Sequence, residues 1–130
     1  MRFATVVLVM ALVPLVALAL TAAGDDKPIT PEAAAKKINE KCTVEMKVAS
    51  VGKGKEVFFL NSKEDFKDKD NFTVFLSKEG VEDLKKTKID DPAAHFKGKT
   101  IRATGTVKLY KDRPEIVIDK AEQIKIVDAK

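Results

Sequence analysis

The side chains in this sequence that could do chemistry are cations and aromatic rings rather than nucleophiles or metal ligands. Late in the chain, "LYKDRP" sets Tyr110, Lys111 and Arg113 almost side by side. Earlier, "GKGKEVFF" carries Lys53 and Lys55 just ahead of Phe58, and "FTVFLS" carries Phe75. Cations neutralise phosphates, and an aromatic face accepts a stacked base at about 1–3 kcal/mol per base, so this mixture suits single-stranded nucleic acid or another polyanion. Lys53, Lys55, Phe58, Phe75, Tyr110, Lys111 and Arg113 are therefore the candidate binding residues, the two phenylalanines on condition that their rings face outward.

Other chemistries find no such grouping. His95 is the sole histidine and stands beside Phe96 in a short helical turn, so no Ser/His/Asp or Cys/His constellation can be assembled. The acidic stretch "EDFKDKDNF" lacks the sixth-position glycine and the distal glutamate of a calcium-binding helix–loop–helix, and Lys67 and Lys69 dilute its charge; a solvated loop is expected. Cys42 is the sole cysteine, so no internal disulfide can form, and it opens an alternating apolar run where a thiol packs as a small hydrophobe. "NFT" at 71–73 matches a glycosylation sequon, which matters only in a host that glycosylates. The expectation is a non-enzyme with no cofactor and no metal.

These candidates need a scaffold, and the apolar periodicity supplies one. Thr30 followed by Pro31 is a helix start, with Ala34 and Ile38 on one face of a short helix. From Cys42 the period becomes two: Cys42, Val44, Met46 and Val48 alternate with polar residues, as in a half-buried strand. "GKGK" (52–55) reads as a basic turn, "EVFFLN" (56–61) as the second strand and "FTVFLS" (72–77) as the third, with Phe72, Val74 and Leu76 on one side. Ser77 then caps a helix over about 78–86 that carries Val81 and Leu84, and Asp91-Pro92 begins a second turn ending at Gly98. Ile101, Ala103, Gly105, Val107 and Leu109 share a face of the fourth strand, Ile116 and Ile118 point inward from the fifth, and Ile124 and Ile126 repeat the pattern at the end.

Five strands with a helix between the third and fourth is the layout of an OB-fold, a five-stranded, partly open Greek-key barrel. The expected fold is thus mainly β: such a barrel over residues 30–130, with a short N-terminal helix. Gly105, in mid-strand on the inward face, fits a tight barrel bend or a bulge. In this fold the loops joining strands one to two and four to five flank the binding face formed by strands two and three. "GKGK" and "YKDR" would then meet at one mouth. Lys111 and Arg113, on a hairpin tip, are expected to leave stability nearly unchanged when removed.

The start of the chain has a different character. "MRF" followed by the apolar run Ala4 to Leu20 and the small residues Thr21 and Ala23 has the form of a secretory signal cleaved after Ala23, with 24–29 as a polar linker. The alternative is an uncleaved anchor, but the apolar run is short for a membrane span and is broken by Pro14, so a cleaved signal is expected, with no transmembrane segment after cleavage. Loss of Arg2 with the leader lowers the net charge from +4 to +3, too mild to name a partner by itself. An exported monomer, periplasmic or secreted, is expected.

With the elements in place, a resemblance emerges. The stretches "TPEAAAKKINEKCTVEMKVASVGKGKEVFFLN" and "FKGKTIRATGTVKLYKDRPEIVIDKAEQIKIV" resemble small bacterial OB-fold domains of the nucleic-acid-binding, tRNA-anticodon-binding-like type, over about residues 30–127. The run Gly98-Lys99, Gly105, Val107, Tyr110, Arg113-Pro114, Ile116 and Gln123-Ile124 carries most of it. Such domains are often exported, sometimes beside secreted nucleases, and the resemblance implies nucleic-acid binding. Where comparable domains have an apolar-Asn-aromatic-Gly stretch at the end of the second strand, Leu60-Asn61 here runs into Ser62-Lys63. A weaker likeness is to small periplasmic bacterial OB-fold proteins. It implies the alternative of an envelope protein with a structural or stress-related role, acting through protein contacts or small, cationic ligands.

Overall fold

The computed structural model describes residues 27–127. The expected signal segment, residues 1–23, and the first half of the expected linker, 24–26, lie outside the described residues. The elements, in chain order, are β1 (Pro28–Ile29), α1 (Pro31–Ala34), β2 (Lys41–Lys47), β3 (Ser50–Lys53), β4 (Phe58–Asn61), β5 (Thr73–Leu76), α2 (Lys78–Lys86), α3 (Pro92–Phe96), β6 (Thr100–Tyr110), β7 (Arg113–Ile118), a 3-10 turn (Ala121–Gln123) and β8 (Ile124–Ile126). Among the described residues eight strands form one mixed sheet, ordered β1–β2–β6–β7–β5–β4–β3, with β8 added to β6. The protein is mainly β. No helix among the described residues is long and apolar enough to cross a membrane.

The helix starts follow their capping residues. Thr30 Oγ1 accepts from the Ala33 amide (3.1 Å), Ser77 Oγ from the Gly80 amide (3.1 Å) and Asp91 Oδ1 from the Ala94 amide (3.3 Å). The helix expected over 78–86 has those bounds and buries Val81 and Leu84. Three elements differ from expectation, the first being the N-terminal helix, which ends at Ala34 and leaves Ile38 beyond it. Pro28 and Ile29, assigned to the linker, pair in parallel with Thr43 and Val44. The turn assigned to 52–55 starts later, because Ser50–Lys53 form β3 against β4 in the register Val51 to Leu60.

Inward residues follow the period of two. One row runs across five strands, Val51–Leu60–Val74–Ile116–Val107, set by the cross-strand register. Val44, Met46, Val48, Ile101, Ala103 and Ile118 complete the same core, with Cys42 buried in β2 and Phe72 and Phe96 as its largest side chains. Burying each such side chain contributes roughly 1.5–3 kcal/mol.

The sheet bends where strands change partners. The Val48 amide bonds Lys99 O (2.9 Å) beside β6, and the next amide, Ala49, bonds Asn61 O (2.9 Å) on β4. β6 makes the matching change: it pairs β2 over Thr100–Thr106 and β7 over Val107–Tyr110. Gly105 sits at this corner. A Cβ there would stand 2.8 Å from Ile116 Cγ2, so the close approach of β7 requires glycine. Gln123 fills the opening between the diverging strands. Its Nε2 donates to Thr104 O (2.9 Å) and Val117 O (3.1 Å), and its Oε1 accepts from the amides of Asp119 (2.8 Å) and Lys120 (2.9 Å).

Candidate nucleic-acid interface

The alternation that sends Leu60 and Val74 inward sends their neighbours outward. Two outer rows result: Gly52–Phe59–Phe75–Val117 and Ser50–Asn61–Thr73–Glu115–Lys108. Tyr110 and Arg113, opposite each other where β6 and β7 end, extend the same face. Phe59 and Phe75 touch, with ring centroids 5.1 Å apart and planes tilted by 43°.

Above these rows lies a cleft of about 370 Å³, walled by Phe59, Phe66, Tyr110 and Pro114, with Lys53, Lys111, Arg113 and Glu115 among its other lining residues. A smaller hollow beside it shares Phe59, Tyr110 and Glu115 and reaches Phe75. Aromatic faces here carry their own cations. Lys111 Nζ lies 5.4 Å from the Tyr110 centroid, and Lys67 Nζ lies 5.9 Å from that of Phe66.

The hairpin that carries Tyr110 turns through Lys111 (φ 52°) and Asp112 (φ 66°). Two successive positive φ values in a two-residue loop make a type I′ turn, which follows the strand twist but strains residues other than glycine and asparagine. Lys111 is thus held at the mouth by a turn that its own chemistry does not favour.

The long connection from β4 to β5 is folded down onto the face. Asn71, buried, holds it: Nδ2 donates to Asn61 Oδ1 (3.2 Å), Thr73 Oγ1 (3.2 Å) and Phe66 O (3.3 Å), and Oδ1 accepts from the Lys63 amide (3.0 Å). Asp65 and Asp68 turn back on the loop, accepting from the amides of Lys67 (2.9 Å) and Asp70 (2.8 Å). Among the described residues no group of three or more His, Cys, Asp or Glu side chains is placed to hold a metal ion.

Of the seven candidate residues, Lys53, Tyr110, Lys111 and Arg113 line the cleft and Phe75 lines the adjoining hollow. Lys55 is exposed on the turn after β3 and lines neither. Phe58 is corrected: it lies in the inward register between Lys53 and Leu76 and packs against the core, while Phe59 holds the outward place. Lys53 Nζ stands 5.9 Å from the Phe58 ring at the rim. For Arg113, which does line the cleft, it is the expected neutrality toward stability that changes. Its guanidinium ties the β4–β5 loop to the hairpin, donating from Nη1 to Phe66 O (2.7 Å) and from Nη2 to Lys67 O (3.2 Å), so it is not an idle tip residue.

Phe59, Asn61, Phe66, Thr73 and Glu115 join the site without having been singled out in the sequence. Phe59 and Asn61 were within reach, because an inward Leu60 forces both outward. Phe66 carries no periodic signal; it is simply an aromatic residue in a polar loop. Burial holds the Glu115 carboxyl above its ordinary pKa.

No family model matches the chain, and no curated protein matches it. Solved structures do. The chain is similar to the asparaginyl-tRNA synthetase of Entamoeba histolytica, with 12% identity, a TM-score of 0.52, and coverage of 82% of this chain and 24% of that one. It is also similar to the aspartyl-tRNA synthetase of Entamoeba histolytica (14% identity, TM-score 0.51, coverage 82% and 22%). The asparaginyl-tRNA synthetase of Pyrococcus horikoshii is a third such match (15% identity, TM-score 0.50, coverage 82% and 24%). The chain spans about a quarter of the length of these enzymes. At such identities the likeness is one of fold, and the fold is of the OB type.

Proposed function

We propose that this protein is a single OB-fold barrel that binds single-stranded nucleic acid, or another anionic polymer, across the outer face of β4 and β5. It does so without catalysis and without sequence preference. In this reading β2 and β3 are one bent strand. The pairings then run in a ring: β3 to β4, β4 to β5, β5 to β7 in parallel, β7 to β6, and β6 back to β2. That is the five-stranded Greek-key order, with β1 and β8 as additions. Residues 1–23 serve as a cleaved export signal.

The observation that carries the binding reading is the cleft itself: three rings, Phe59, Phe66 and Tyr110, with Lys53 and Lys111 at its margin. Rings without cations would suit any apolar ligand, and cations without rings any anion. Their combination suits a strand that presents bases and phosphates together. The similar structures are enzymes named for a tRNA substrate, which agrees with this reading at the level of fold.

One observation favours a second reading. Glu115 places a carboxyl in the same cleft, and aromatic walls with a carboxylate suit a small cationic ligand. Three basic residues share that lining, and burial disfavours the charged carboxylate, so the polyanion reading stands first.

An NMR titration with a short oligothymidylate tests it. The expected result is that amide shifts move at Lys53, Phe59, Phe75 and Tyr110 and stay put at Thr43, Glu45 and Arg102 on the outer surface of β2 and β6. Shifts confined to Thr43, Glu45 and Arg102 and their neighbours on that surface, or none, would reject this interface.

A further inference from the structure

Arg113 and Phe66 stand in an arrangement that the polyanion reading alone does not require. Phe66 lies in an otherwise polar loop, is 58% exposed, and lines the cleft with Tyr110, itself 55% exposed. A loop ring left in water has many rotamers and a mobile backbone, and stacking on it costs the entropy of ordering it. Here the backbone beneath Phe66 is pinned. Its carbonyl accepts from both Arg113 Nη1 (2.7 Å) and Asn71 Nδ2 (3.3 Å), while the next two carbonyls, Lys67 and Asp68, accept from Arg113 Nη2 (3.2 Å) and Nη1 (3.4 Å). A planar fork of fixed donors can bridge three successive carbonyls; a lysine ammonium, a single point on a flexible stem, cannot hold them in the same way.

We infer that Phe66 is a binding residue, a ring that receives one base of a single strand opposite Tyr110, and that Arg113 acts through it as a positioning residue rather than as a phosphate ligand. Lys67, whose ammonium stands 5.9 Å from the Phe66 ring centroid, is the cation placed to meet the adjoining phosphate. The inference rests on the polyanion reading for its ligand, but the positioning of Phe66 by Arg113 does not.

The test uses the absence of tryptophan from the chain. Phe66→Trp installs a single indole reporter, and fluorescence anisotropy decay reads its motion with no ligand present. Adding Arg113→Lys, which keeps the charge, is expected to free the indole, with the thermal transition of the whole domain retained. Unchanged indole motion would overturn the positioning role whether or not any oligonucleotide binds. Oligothymidylate is expected to quench the indole fluorescence. Phe66→Ala and Arg113→Lys should each weaken binding about ten-fold or more, as loss of a stacking ring does. Both should leave the salt dependence unchanged, and the double variant should be no weaker than Phe66→Ala. If Arg113→Lys binds like the wild type while Arg113→Ala lowers the salt slope by about 0.7, Arg113 touches phosphate and the inference is wrong. If the wild type binds no oligonucleotide, the ligand half fails together with the polyanion reading, and the motion of the indole alone decides the positioning half.

Discussion

Among the residues lining the cleft, Glu115 alone carries a negative charge, and its environment works against that charge. It lies between Thr73 and Lys108 in the outer row, half-buried, and desolvation raises its pKa above the ordinary carboxylate value. The folded state therefore holds the proton more tightly than the unfolded one. The associated stability is fully present below the unfolded pKa and is lost as pH rises through the folded one. Glu115→Gln should thus be more stable than the wild type at neutral pH, the advantage disappearing below the usual carboxylate range; denaturation at several pH values measures this, and equal stabilities at neutral pH would contradict it. The same variant should bind oligonucleotide more tightly at neutral pH, because it removes a like charge from the path of phosphates. At this scale the sequence was informative about types but not about facing. Tyr110 and Lys111 were legible because a hairpin tip is always exposed. Phe58 and Phe59 differ only by the parity of their strand, and nothing in "VFFL" decides parity until the inward position of Leu60 is known. The tether that Arg113 makes to the β4–β5 loop had no local signal, since its acceptors lie more than forty residues earlier in the chain.

The elements show where backbone geometry, rather than side-chain chemistry, fixes the site. The hairpin from β6 to β7 places both Lys111 and Asp112 in the left-handed region, at about 1–2 kcal/mol for a residue with a Cβ. Asp112→Gly should relieve part of that strain, raising stability by roughly 0.5–1 kcal/mol once the entropy of glycine is set against it; urea denaturation checks the gain, and a loss would mean that the turn is not strained. A second prediction concerns α2. Gly80 packs so tightly on β7 that an added Cβ would collide with the carbonyl oxygen of Ile118, and Ser77 fixes the approach by donating to Asp119 Oδ1 (2.6 Å). Gly80→Ala should therefore destabilise the protein by about 1–3 kcal/mol although alanine favours helices, a sign that thermal melting reads directly. The helix itself was legible from Ser77, Val81 and Leu84, but the need for glycine was not. It arises from a contact between α2 and the end of β7, which no local pattern encodes. β3 was missed for a related reason: "SVGK" alternates too briefly to announce a strand, and its pairing with β4 supplies the order.

Across the whole molecule, the buried side chains among the described residues run from Ala34 to Ile124 and form one core. A chain beginning at Gly24 is accordingly expected to be soluble and to unfold in one cooperative transition; failure to fold would mean that Ala4 to Leu20 belongs to the core and is not a signal. The fold class was legible at this scale because element order and alternation limit the topologies a small β protein can adopt, and OB-fold neighbours agree. Ligand identity was less so, because it depends on which rings and cations converge after the chain has bent. The central claim is that this convergence binds single strands. It is tested most directly by titrating the wild type, Lys111→Ala and Tyr110→Ala with a labelled oligothymidylate at a low and a moderate salt concentration. The account predicts binding at low salt that weakens as salt rises. Lys111→Ala should flatten that dependence by about 0.7 in the log–log slope for the contact removed, and Tyr110→Ala should lose affinity with the slope unchanged. No binding by the wild type at low salt, where electrostatic attraction is strongest, would contradict the account.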